Sequence, residues 1–147
     1  MTADSPIHDE VAVLLRRADQ RYTTGRRRLV DALLAGGGPL TISQILDLDD
    51  RLAQSSVYRN LVILEQVEAV TRIVTRDDYA RYELTERLTD DHHHHLICTS
   101  CGDVADFSLT TQVESSLDDA LRRVAKKAGF AVEAHRLDLV GVCASCD

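Results

Sequence analysis

Two Cys-x-x-Cys knuckles, Cys98–Cys101 and Cys143–Cys146, frame most of the second half of this 147-residue chain. A CxxC turn aims both sulfurs at one point, and two such turns supply the four thiolates of a tetrahedral zinc site. A fold that satisfies them must bring residues 143–146 back beside Cys98. The thiols bind as thiolates, so metal binding and folding of this part are coupled. A dithiol redox centre is the competing reading, but it needs a CxxC next to a helix start, and neither knuckle offers one. Structural zinc is therefore expected on Cys98, Cys101, Cys143 and Cys146.

Aromatic residues make up only 4% of the chain and Trp is absent, so the core is expected to be aliphatic. The net charge of −7 weighs against a nucleic-acid partner on average. Its distribution is uneven. Residues 1–88 carry 12 Lys and Arg against 14 Asp and Glu, whereas residues 89–147 carry 5 against 10, so a local arginine patch remains compatible with DNA. No run of 18 apolar residues exists, and MTADSPIHDEV has no basic region followed by an apolar stretch. A cytoplasmic protein is expected, where cysteines serve metals more often than disulfides. No membrane and no small organic ligand are expected as partners.

Periodicity predicts helices over HDEVAVLLRRADQ, TTGRRRLVDALLAGGGP (cap Thr23 or Thr24), TISQILDL (cap Thr41) and SSVYRNLVILEQVEA (cap Ser55 or Ser56). Strands follow near Thr71–Val74 and Arg81–Leu84, joined by a polar turn at Arg76–Asp78. Helices followed by a hairpin are the order of a winged helix-turn-helix. His8 is expected to be an exposed helix residue. The second half reads strand, knuckle, strand, a helix from Thr111 to Ala128 closing at Gly129, then a strand over VEAHRLDLVGVC. The fold class is α+β: residues 1–85 a winged helix-turn-helix domain, 86–91 a hinge or linker, and 92–147 a second α/β domain with the four-cysteine zinc site. No nucleophile–base pair is visible, so an enzyme and catalytic residues are not expected.

His92–His95 run directly into the first knuckle. Strand alternation sends His92 and His94 to one side and His93 and His95 to the other. Four histidines thus suit two further metal sites, one on each face.

The combination of SVYRNL, RYEL, HHHHLICTSCGDVADF and GVCASC resembles the ferric uptake regulator (Fur) superfamily of bacterial metal-responsive repressors, over roughly residues 23–146. The resemblance implies a winged-helix DNA-binding domain followed by a dimerisation domain. It implies that Glu83, His93 and His95 form the regulatory metal site, and that His92, His94, Glu114 and His135 form an additional one. Glu114 also stands three residues after Thr111, so TQVE reads equally as a capping box. Many iron-sensing relatives use a further histidine just before the third helix, where this chain has Pro39. The fourth regulatory ligand is therefore open, with Asp77, Asp78, Asp90 and Asp91 nearby.

On SSVYRNL, Tyr58 and Arg59 follow the apolar Val57 and are expected to face outward into a DNA major groove. Ser55 and Ser56 add hydroxyls at the positive end of the helix, and Arg26 is expected to grip a phosphate, as the resemblance also implies. Arg72 and Arg76 are placed for backbone contact from the wing. The expectation is a homodimeric, metal-dependent repressor that binds a palindromic double-stranded operator and controls iron or zinc uptake and homeostasis genes. Its second divalent ion is Zn²⁺ or Fe²⁺, with Mn²⁺ or Ni²⁺ as alternatives. A peroxide- or redox-responsive regulator on the same fold, or a metal buffer without DNA, are the competing readings.

Overall fold

The computed structural model describes residues 5–75 and 79–147. Four helices open the chain: α1 (Pro6–Arg17), α2 (Thr24–Ala35), α3 (Ile42–Leu48) and α4 (Gln54–Gln66). Strands β1 (Val70–Val74) and β2 (Ala80–Leu84) form an antiparallel wing, followed by a single turn, α5 (Glu86–Thr89). Strands β3 (His94–Cys98), β4 (Val104–Phe107) and β5 (Asp138–Gly141) make a three-stranded sheet in the order β4-β3-β5, with α6 (Thr111–Lys127) crossing between β4 and β5. The expected turn at Arg76–Asp78, and with it Arg76, Asp77 and Asp78, lies outside the described residues.

Local chemistry sets most of the helix ends. Thr23 and Thr41 accept hydrogen bonds from the Arg26 and Gln44 amides, and the Gln44 side chain returns the favour at the Thr41 amide, completing a capping box. Gly129, at φ 63°, ends α6 in a Schellman motif, its amide bonding the Lys126 carbonyl and the Phe130 amide the Ala125 carbonyl. Two expected starts are corrected. α4 begins after Ala53, which has no side chain able to cap, so Ser55 and Ser56 lie inside its first turn. α6 is capped by Thr110, which accepts from the Val113 amide, rather than by Thr111.

The core of the first half is aliphatic as expected. Leu15 of α1, Leu29 of α2, Ile45 of α3, Leu61 and Leu64 of α4, Val70 of β1 and Leu84 of β2 close into one cluster. Leu40 pairs with Tyr82 through two backbone hydrogen bonds of 2.8 and 2.9 Å, tying the lead-in of α3 to the wing. The stretch read as a hinge is ordered over Glu86–Thr89, because Leu88 inserts into this same core at 5% exposure. His8 is not exposed. It lies 8% exposed between the Tyr22 hydroxyl and Asp31 of α2, 2.8 Å from its carboxylate, two partners that only the tertiary fold brings to it.

The second half differs. Its long final strand shrinks to Asp138–Gly141. The apolar stripe of α6 leaves Val113 and Val124 exposed, as are Leu139 and Val140 of β5. Among the described residues this half buries little of its own apolar surface, and no helix is long and apolar enough to cross a membrane.

Candidate metal centres and nucleic-acid face

Three groups of donor atoms gather among the described residues, each with all its atoms within 4.8 Å of one another. The first is Cys98, Cys101, Cys143 and Cys146. Parallel pairing of β3 with β5 sets Cys98 beside Gly141, and the Thr99 amide bonds the Gly141 carbonyl at 2.8 Å, so the second knuckle is delivered next to the first. Amides of Cys101 and Cys143 point at the Cys98 sulfur and draw that thiol down to about 6. At Cys101 the Asp103 amide also favours the thiolate, but the Cys98 sulfur and burial outweigh it and push the thiol up. Zn–S bonds of about 2.3 Å in a tetrahedron imply sulfur separations of roughly 3.8 Å. The Cys101 and Cys143 sulfurs stand 3.9 Å apart, so the set fits zinc.

The second group joins the two halves. Glu83 comes from β2 of the wing, His93 from the residue just before β3, His95 from β3 and Asp106 from β4. Both Glu83 oxygens lie 3.1 Å from His93 Nε2, and one lies 2.8 Å from His95 Nε2. Asp106 Oδ2 and Oδ1 stand 3.8 and 3.5 Å from the same two nitrogens. Metal–ligand bonds of about 2.0–2.1 Å in a tetrahedron separate donors by roughly 3.3 Å, and these distances bracket that value. The outer nitrogens are held as well: His93 Nδ1 lies 3.1 Å from the Asp91 carbonyl, and His95 Nδ1 lies 3.6 Å from Asp138. Such outer partners fix the ring orientation that presents Nε2 inward.

The third group draws on the second half alone. Nε2 of His92, His94 and His135 each lie 2.9 Å from an oxygen of Glu114, and those of His92 and His135 are 3.1 Å apart. With Thr110 as cap, Glu114 is released from the capping box that competed for it and faces the histidines. His135 Nδ1 lies 3.5 Å from Asp118, one turn along α6, and His92 Nδ1 lies 2.8 Å from Glu86.

The structure thus brings together every metal-site residue expected from the sequence. It adds a fourth member, Asp106, to the group whose fourth ligand sequence reasoning left open, and Asp106 was not among the nearby aspartates it named. A signal was present. The tight CTSCGD turn makes β3 and β4 pair symmetrically about it, Ile97 with Val104 and hence His95 with Asp106.

The electrostatics give a signed prediction for protein whose histidine clusters are metal-free. The Glu86 hydrogen bond raises the His92 pKa, and the Glu83 hydrogen bond raises that of His95. Burial opposes charge on His93, but the Asp91 carbonyl and Glu83 outweigh it and raise the pKa. The His94 hydrogen bond, with those of His135 and His92, draws Glu114 down to about 2. Raised histidines contribute stability that is complete below 6.5 and lost as pH rises through their folded values, whereas Glu114 contributes above 4.5 and loses its contribution toward about 2. Thermal melts should therefore show these clusters weakening as pH rises above 6.5 without metal. A divalent ion, which must displace those protons, should raise the melting temperature more at about pH 8 than at about pH 6.

On the first half, Tyr58 is 59% exposed and Arg59 and Ser55 are exposed, while Val57 beneath them is buried. Ser56 is half-buried. Arg26 is engaged within the fold: its Nε donates to Asn60 Oδ1 at 3.0 Å, and its Nη1 donates to the Arg21 carbonyl. It braces α2 against α4, a role that spacing alone did not reveal. Arg72 of the wing stands 3.6 Å from Glu65.

The model of the Ferric uptake regulator family matches residues 17–140. The ferric uptake regulation protein of Escherichia coli K12 is 34% identical over 139 residues, covering 90% of this chain and 88% of that one. That of Bordetella parapertussis is 38% identical over 92 residues, where the match spans 63% of this chain and only 60% of the relative. The Helicobacter pylori ferric uptake regulator structure, which reveals three functional metal binding sites in that protein, superposes with a TM-score of 0.73 at 24% identity, covering 95% of this chain and 91% of that one.

Proposed function

Because this chain belongs to the ferric uptake regulator family of metal-dependent regulators, we propose that it is a homodimeric DNA-binding repressor of iron or zinc uptake and homeostasis genes, and not an enzyme. Its partner is double-stranded DNA bearing a palindromic operator, and its compartment is the cytoplasm. One observation carries the reading: Glu83 of the wing meets His93, His95 and Asp106 of the second half at a single point. An ion held by these four residues ties the two halves at one angle, and with it the spacing of two recognition helices in a dimer. Because the ion favours that arrangement, metal and DNA strengthen each other's binding reciprocally.

On this reading zinc on Cys98, Cys101, Cys143 and Cys146 is structural, and the ion at Glu83 is regulatory, Zn²⁺ or Fe²⁺ first, with Mn²⁺ or Ni²⁺ as alternatives. His92, His94, Glu114 and His135 hold a further ion. The exposed apolar residues of α6 and β5, among them Val124 and Val140, are the surface a second copy covers. The exposed pair Tyr58 and Arg59 favours DNA over a metal buffer, which has no use for them. Arg59→Ala should weaken metal-loaded binding to operator DNA about tenfold or more, with metal affinity unchanged. Fluorescence anisotropy at fixed salt reads the effect, and equal affinities for the two proteins would remove α4 as the reading helix.

A further inference from the structure

Glu86 touches both histidine clusters at once. Its Oε2 accepts from His92 Nδ1 at 2.8 Å, and its Oε1 accepts from the His93 backbone amide at 3.1 Å. His92 belongs to the group with His94, Glu114 and His135, whereas His93 belongs to the group with Glu83, His95 and Asp106. Glu86 itself opens α5, whose Leu88 is 5% exposed in the core of the first half. The carboxylate is therefore carried on an anchored turn, and each of its oxygens serves a different cluster.

We propose that Glu86 is a positioning residue that couples the two clusters, so that an ion on His92, His94, Glu114 and His135 tightens the site at Glu83, His93, His95 and Asp106. This rests on the proposed metal-binding role of both groups. An ion at His92 Nε2 leaves the ring proton on Nδ1 and makes that N–H a stronger donor to Glu86. The carboxylate is then pinned by one oxygen, and the other holds the His93 amide. That fixes the backbone from which His93 Nε2 reaches Glu83, 3.1 Å away. Coupling of this kind is reciprocal, so filling the Glu83 site tightens the other group equally. The neighbouring histidines of the run alternate between faces, and among the described residues only Glu86 is hydrogen-bonded to both His92 and His93.

The test is a double-mutant cycle read by Co²⁺ absorption, on full-length protein that keeps its cysteine-bound zinc. Co²⁺ affinity of the Glu83 site is measured in the parent, Glu114→Ala, Glu86→Ala and the double variant. Glu114→Ala, which disables the other cluster, should weaken Co²⁺ binding at the Glu83 site by about 5-fold or more in the parent background. In the Glu86→Ala background the same change should have no effect. Glu86→Gln keeps the size of the side chain but has only one acceptor oxygen for two donors, and should abolish the coupling as Ala does. Should either Glu86 variant fold and bind Co²⁺ at both clusters with the parent's coupling intact, the proposal is overturned and the metal reading stands. If the folded parent takes no Co²⁺ at the Glu83 group, the metal reading itself fails, and this proposal with it.

Discussion

Cys101→Ser protein should lose its tightly bound zinc and, with it, the folded second half. Cys101 is exposed, so the substitution leaves no cavity, and any loss of structure traces to the metal. The second half has little else to hold it. Among the described residues its well-buried aliphatic side chains are Val104 and Ala125, each 7% exposed. Such side chains contribute about 1.5–3 kcal/mol apiece at most, against roughly 10–16 kcal/mol of apparent binding energy for a structural zinc. The sheet is also tied to the clasp, because the β3–β5 pairing, which runs from His95 with Asp138 to Cys98 with Gly141, ends at the two knuckles. Zinc analysis combined with amide NMR dispersion would check this. The first half, with its own core, should keep its dispersed signals while those of residues 92–147 collapse. A zinc-free variant with a fully dispersed second half would show that packing suffices without metal.

The double change His93→Ala/His95→Ala should abolish metal-stimulated operator binding while leaving the cysteine zinc in place. It removes two of the four donors at the junction, and among the described residues no other histidine belongs to the Glu83 group. The expected loss is the whole metal-dependent increment, about 5–150-fold in DNA affinity for a coupling of ordinary strength. Weak, salt-sensitive binding to unrelated DNA should persist, because it depends on basic side chains of the first half. Anisotropy titrations with and without added Fe²⁺ or Zn²⁺ separate the two effects. Operator affinity that ignores both the substitutions and a chelator too mild to strip the cysteine zinc would rule out a regulatory ion at this junction. The other cluster serves as a contrast, since His94, Glu114 and His135 all belong to the second half and its tie to the first runs through Glu86.

Predictions about the fold divide by range. Features set within one turn of chain were legible in the order of residues: the Thr23 and Thr41 caps, the Gly129 stop, the two knuckles, and the alternation that parts His92 and His94 from His93 and His95. Caps and CxxC turns are satisfied by neighbours a few residues away, and strand alternation is a property of the backbone itself. Tertiary structure alone decided which distant group completes each site. Asp106 joins His95 because a hairpin register places them opposite each other, and Glu86 reaches both clusters because Leu88 anchors its turn in a remote core. His8 is buried against Tyr22 and Asp31, and Arg26 is drawn to Asn60 by the approach of α2 to α4. Residue spacing carries the chemistry each side chain has to offer. Its partner is chosen by how helices and strands pack, an outcome governed by the summed burial of the whole core rather than by any short stretch of chain.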